Sequence, residues 1–257
     1  MDILTEAQLR SMRLSKETVR FSVKPDVFVT PLAKEYLESR GISLVIEEKS
    51  GGSFGKGVMT FSPTPENNAD KFVDYYTGEI YDKKPEHMTH LRANLLVPKN
   101  DPRILFRGKL DSLEAHIMDT QITAAEEGYQ CIADDLDELL EFVQNILACE
   151  VKDEPLRQIM LLDMDSERIR YVSHNVLSEI GVEHSVPHYS MGKMCVKLNL
   201  LRTFSRETEL TAANAFIKGK VVERPDIIEA LNRLSSCVDI IFCRLVAGKY
   251  RRGLNHQ

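Results

Sequence analysis

The sequence predicts a mainly α protein, a five-helix bundle over residues 86–257 preceded by a small irregular α/β region over residues 1–85. Three observations lead there. From Pro102 onward apolar residues recur at helical spacing. Before about residue 97 the chain is crowded with Gly41, Gly51, Gly52, Gly55, Gly57 and Gly78 and with Pro25, Pro31, Pro63, Pro65 and Pro85, which forbid long helices. Composition, 43% hydrophobic and 28% charged over 257 residues, is that of a folded globular chain, not a disordered, collagen-like or disulfide-scaffold one.

In chain order, Ile3, Leu4, Ala7 and Leu9 stand at rough helical spacing, suited to packing on the bundle or to docking on a partner surface. Thr30-Pro31 followed by Leu32, Tyr36 and Leu37 gives an N-cap, a proline at N1 and a short helix that Gly41 stops. Ile42–Ile46 reads as a strand, and Lys49–Lys71 as a flexible loop. The first bundle stripe is Leu110, Leu113 and Ile117. The second, behind Asp134 as cap, is Leu136, Leu139, Leu140, Val143, Ile146 and Leu147. A third helix is expected from about Leu156 to Ile180 and a fourth from about Met191 to Ile217. The fifth starts at Pro225-Asp226 and carries Ile228, Leu231, Leu234, Val238, Ile241 and Leu245. Such bundles place their sites among side chains facing one another across helices.

The formal charge of −6 argues against a nucleic-acid partner. Five cysteines without a CxxC suggest reduced thiols and a cytoplasmic location. The longest apolar run, Val238–Val246, is broken by Asp239 and Arg244, far short of the roughly 18 residues of a membrane span. The first residues resemble no signal peptide. His87 and His90 form an HxxH but lack further ligands nearby. No ExxH, Walker loop or GxGxxG occurs.

Three groups of residues could carry chemistry. Arg202, Arg206 and Glu209, at i, i+4 and i+7, share one face of the fourth helix. Two arginines one turn apart repel unless an anion lies beside them, so they fit a carboxylate of another helix or a polyphosphate; a solvated face with an Arg206–Glu209 pair fits the spacing too. Asn232 interrupts an apolar run on the fifth helix and needs partners, from a neighbouring helix or from a ligand. Asp111, beside the first stripe, is the nearest partner for an arginine, or else a surface carboxylate favouring the helix dipole.

Several segments together resemble a known family. Asp101-Pro102-Arg103 through Gly108-Lys109-Leu110-Asp111-Ser112-Leu113 is similar to a DPRxxxxGxLDELN segment. Arg202-Thr203-Phe204-Ser205-Arg206-Glu207-Thr208-Glu209 is similar to RxxxRRAER, and Arg224-Pro225-Asp226 through Leu231-Asn232-Arg233-Leu234-Ser235-Ser236 to RPDILQALNRLSS. These collinear stretches belong to the ATP:corrinoid adenosyltransferases. Ile3–Arg10 and Thr30–Arg40 point to the ethanolamine-utilisation type more than to the propanediol-utilisation type.

The resemblance implies transfer of the 5′-deoxyadenosyl group of ATP, bound with Mg²⁺, to cob(I)alamin. The product, adenosylcobalamin, would serve ethanolamine ammonia-lyase. It implies Arg206 as phosphate clamp, Glu209 orienting it or positioning Mg²⁺, Asn232 on the nucleotide and Lys99 near the phosphates, with Thr89 and Arg92 as further phosphate candidates. Arg202 and Asp111 would form an ion pair between subunits of a homo-oligomer, beside the corrinoid. In the propanediol branch a phenylalanine in FxLPGG displaces the lower axial ligand of cobalt. The aligned stretch here is His184-Ser185-Val186-Pro187, so His184, Val186, His188, Tyr189 or Met191 would take that place. Some ethanolamine-type members carry CCxxC where this chain has Asp74–Tyr81, which implies no structural Zn or Fe site in this chain and only Mg²⁺, accompanying ATP. A reductase and a microcompartment shell are further implied partners. The competing classes are a carrier of finished adenosylcobalamin or nucleotide on the same bundle, and a shell-interaction protein.

Overall fold

Among the described residues the elements before Lys99 are short and long helices follow, as the glycine and proline punctuation and the later periodicity require. The computed structural model describes residues 2–12, 14, 18–46, 58–60 and 71–252. They divide into two compact units, Met1–Lys99 and Asn100–Gln257.

The first unit holds β1 (Asp2–Leu4), α1 (Glu6–Ser11), β2 (Arg20–Val23), β3 (Val27–Val29), α2 (Pro31–Ser39), β4 (Ser43–Ile46), β5 (Val58–Thr60), β6 (Phe72–Asp74), β7 (Ile80–Tyr81), β8 (Met88–Arg92) and β9 (Leu95–Pro98). β1 pairs with β3, and β2 lies between β4 and β5, all parallel. The remaining strands form a sheet in the order β7-β6-β9-β8. The expected division after residue 85 falls inside this sheet, between β7 and β8.

The helix α2 forms as its sequence demands. Thr30 Oγ1 accepts the Ala33 N–H at 3.3 Å, Pro31 opens the helix, and Gly41 follows in the left-handed region at φ +70°. The helical spacing of Ile3 to Leu9 is corrected: Thr5 breaks it, capping α1 in a reciprocal box with Gln8 and leaving Asp2–Leu4 extended. Leu4 and Leu9 are fully buried in the unit's own core with Phe21, Val23 and Leu37, so they offer no apolar face to a partner. The expected Lys49–Lys71 loop lies outside the described residues except for β5 and Lys71.

The second unit holds α3 (Pro102–Glu126), α4 (Gln130–Lys152), the hairpin β10 (Met160–Leu161) and β11 (Met164–Asp165), α5 (Ser166–His174), α6 (Val176–Ile180), α7 (Lys193–Phe216), the hairpin β12 (Ile217–Lys218) and β13 (Val221–Val222), and α8 (Pro225–Val246). The bundle is closed by α3 on α4 and α7, α7 on α8, and α8 on α4, while α5 and α6 cover α8. One continuous core runs through it, including Phe106, Leu110, Ile132, Leu139, Leu198, Leu231 and Ile241.

Two sequence expectations are corrected here. The helix expected from Leu156 to Ile180 is a hairpin followed by two short helices. Leu162 (φ +54°) and Asp163 (φ +59°) make the two-residue left-handed turn that joins β10 to β11, and Asp165 then caps α5 by accepting the Arg168 N–H at 2.8 Å. The second bundle helix starts at Gln130, four residues before the expected cap Asp134. The chain turns at Gly128 (φ +77°), Ile132 is already fully buried, and Asp134 instead accepts a side-chain bond from Gln130 at 2.8 Å.

One polar knot ties α3 to α4. Glu150, with a fully buried side chain, receives Arg103 at 2.7 Å and Arg107 one turn further along α3. The paired guanidinium groups occupy both carboxylate oxygens, which makes a buried charge tolerable.

Candidate active site

Both α7 and α8 spend one stripe on the core and carry a polar row beside it. On α7 the buried stripe includes Met194, Leu198, Leu201, Ser205, Thr208 and Ala212, and the row is Asn199, Arg202, Arg206 and Glu209. On α8 the buried stripe includes Ile227, Leu231, Leu234, Val238, Ile241 and Cys243, and the row is Asn232, Ser236 and Asp239. Both rows step by three or four residues, so each stays on one side of its helix.

The two helices are neighbours, and the rows meet in antiparallel register. Asn232 Nδ2 donates to Glu209 Oε1 at 3.0 Å. Arg206 shares a cavity of about 280 Å³ with Ser235 and Ser236. Arg202 Nε lies 4.0 Å from Asp239 Oδ1 and its terminal nitrogen donates to Asn199 at 3.0 Å. The amide of Asn232 is oriented from both ends, because its Oδ1 accepts from Arg233 at 2.6 Å, and Arg233 in turn donates to Ser166 Oγ at 3.0 Å.

The loop before α7 brings the remaining wall. Gly181 (φ +91°) ends α6 and Gly192 (φ +94°) precedes α7, both in backbone that side chains with a Cβ rarely adopt. Between them His184 lines the 280 Å³ cavity with Ser173, His174, Arg202, Arg206 and Asp239. A second cavity of about 270 Å³ adjoins it, sharing His184, Arg202 and Asp239 and adding Val186, Pro187, Asn199 and Phe242. Burial pushes the Asp239 carboxyl up from its ordinary value, while His184, Arg202 and Arg206 pull it back.

Of the residues singled out in the sequence, the structure gathers Arg202, Arg206 and His184 around one cavity, with Val186 on the adjoining one, and joins Glu209 to Asn232. The Arg206–Glu209 pair is replaced by the Asn232–Glu209 bond. Tyr189 sits in the short 3-10 turn Tyr189–Met191, largely exposed and against the His188 ring. Asp111 is exposed on α3, and within the chain Arg202 turns to Asn199 and Asp239. Thr89 and Arg92 on β8 and Lys99 after β9 belong to the first unit, where Thr89 pairs with Val97 and the Lys99 N–H donates to His87 O at 2.9 Å.

Asp239, Ser236 and Ser173 were missed. The signal was present for Asp239, as a carboxylate inside an apolar run in step with Asn232.

A guanidinium pair, an oriented amide and a carboxylate gathered on the seam of a helical bundle make a place suited to a polyanionic ligand. A family model described as cobalamin adenosyltransferase matches residues 80–245, and the chain belongs to that family. The chain is 35% identical over 247 residues to the corrinoid adenosyltransferase EutT of Escherichia coli (strain K12), covering 93% of this chain and 91% of that one. To its counterpart in Salmonella typhimurium (strain LT2) it is 34% identical over 252 residues, covering 96% and 93%. Among solved structures, a variant PduO-type ATP:corrinoid adenosyltransferase from Lactobacillus reuteri, complexed with cobalamin and ATP, aligns with a TM-score of 0.48 at 14% identity over 63% of this chain and 90% of that one. That likeness is too slight to carry weight.

Proposed function

We propose that this chain makes adenosylcobalamin from ATP and cob(I)alamin, releasing triphosphate, for use by an ethanolamine ammonia-lyase. The reading rests on membership of the cobalamin adenosyltransferase family together with one observation: the arginine row of α7 and the amide of α8 meet on one seam.

In the reaction the cobalt(I) electron pair attacks C5′ of the ribose. A cobalt–carbon bond forms, the C5′–oxygen bond breaks, and the pair from that bond leaves on the triphosphate. The nucleophile needs little help, so the protein's part is alignment and stabilisation of the leaving charge. Arg206 takes the phosphates in a bidentate grip. Asn232, held by Glu209 and Arg233, binds the nucleotide in a fixed orientation, and Glu209 also helps place Mg²⁺. Lys99, Thr89 and Arg92 supply further phosphate contacts. His184, Val186 and Tyr189 lie on the lower face of the corrinoid, and Arg202 with Asp111 of another subunit joins a homo-oligomer beside it. A reductase that delivers cobalt(I) and a microcompartment shell complete the expected partners.

The test is an anaerobic assay of the full chain with ATP, Mg²⁺ and chemically reduced cobalamin. A light-sensitive alkylcobalamin and one equivalent of triphosphate are expected. Tight binding of adenosylcobalamin without turnover would replace this reading with that of a carrier.

A further inference from the structure

His184 and Asp239 line both cavities, and behind them the core residue Cys243 completes a set of three potential metal ligands of different chemistry. One ligand atom each of His184, Asp239 and Cys243 lies within 4.8 Å of the others. In the His184 ring, Nε2 sits 3.2 Å from the Ser173 carbonyl oxygen, and Nδ1 sits 3.7 Å from Asp239 Oδ2. A carbonyl oxygen only accepts, so Nε2 donates to Ser173 and Nδ1 is the ring nitrogen turned to Asp239. Metal-bound histidines are oriented in this way, by a backbone carbonyl on the nitrogen away from the ion. The carboxylate itself is three-quarters covered, yet the His184 ring and the Arg202 guanidinium stand off at 3.7 and 4.0 Å, too far for hydrogen bonds. The Cys243 thiol is buried one turn further along α8.

We propose that His184, Asp239 and Cys243 bind one divalent transition ion of the zinc type. An imidazole, a carboxylate and a thiolate match such a borderline ion and not the oxygen-seeking magnesium. In a tetrahedral site ligand atoms stand about 3.5 Å apart, so a closure of about 1 Å by side-chain rotation brings the three together. The ion with two anionic ligands is electrically neutral, so Arg202 and Arg206 beside it do not oppose binding. Three protein ligands leave one tetrahedral position unfilled. This site departs from the expectation of no structural Zn or Fe, which rests on the missing cysteines of Asp74–Tyr81, and it shares His184 with the corrinoid face of the proposed reaction, so it is tested without corrinoid.

The test uses full-length, corrinoid-free protein loaded with cobalt(II) as a spectroscopic stand-in for zinc. One equivalent retained after gel filtration, with a thiolate-to-cobalt charge-transfer band in the near ultraviolet, is expected. Cys243→Ser abolishes the band, and His184→Ala, at an exposed position that leaves the core intact, weakens retention by about tenfold or more. Cys131→Ser, on the exposed start of α4, changes neither. Circular dichroism confirms the helix content of each variant. Absence of the band in the unaltered protein, its persistence in Cys243→Ser, or undiminished retention in His184→Ala overturns the proposal.

Discussion

Arg206 and Asn232 illustrate how a side chain's role depends on what stands one turn away. Arg206 is exposed on α7, so its charge is available to a ligand rather than consumed by an internal pair. Arg206→Ala is expected to lower the rate of adenosylcobalamin formation by about 10²–10³-fold, the usual loss when a donor to developing charge is removed. Arg206→Lys recovers only part of it, because an ammonium cannot grip two oxygens in a plane. Asn232→Asp sets a second carboxylate against Glu209, at a separation of 3.0 Å in the native pair. It should weaken ATP binding more than Asn232→Ala, by about tenfold, in an equilibrium titration. Arg202, Arg206 and Glu209 were legible in the sequence because a helix's period fixes which residues share a side. Asp239 was marked as well, in step with Asn232, but its partners were not, because they depend on the register of the facing helix.

Helices and hairpins were read unevenly for a related reason. The stripes of α3, α4, α7 and α8 are long enough for periodicity to speak. The β10–β11 hairpin is too short for that, and its turn uses Leu162 and Asp163 in left-handed backbone without a glycine to announce it. Two acids that fasten elements give measurable consequences. Glu150→Ala removes the buried carboxylate that Arg103 and Arg107 share between α3 and α4 and should cost about 3 kcal/mol in denaturant unfolding. At the start of α8, burial pushes the Asp226 carboxyl up, but bonds from Arg224 at 2.8 and 2.9 Å and from the Leu156 N–H at 2.9 Å outweigh it and hold the carboxyl below its ordinary value. A carboxyl lowered in the fold stabilises above its unfolded pKa and loses that contribution as pH falls through the folded one. Asp226→Asn should therefore be less stable than the unaltered protein at neutral pH, by about 1–2 kcal/mol, with the gap closing as pH falls through the lowered folded value.

At the level of the molecule, the change from glycine-rich to periodic sequence marked the presence of two regions, though sequence punctuation does not show which strands share a sheet. Each unit has its own buried cluster, one around Leu4, Phe21 and Leu37 and the other through the bundle. A fragment of residues 100–257 is thus expected to fold alone, with strong helical circular dichroism and a cooperative thermal transition. If Lys99, Thr89 and Arg92 hold phosphates, the fragment binds ATP more weakly than the full chain while keeping the seam of α7 and α8. Equal affinity would remove those three residues from the nucleotide site.

On α7 and α8, folding and chemistry are written on different sides of the same rods. A lineage can therefore exchange pocket residues such as His184 or Asp239 one at a time, leaving the hydrophobic stripes untouched, and drift towards other cofactors without passing through a misfolded ancestor.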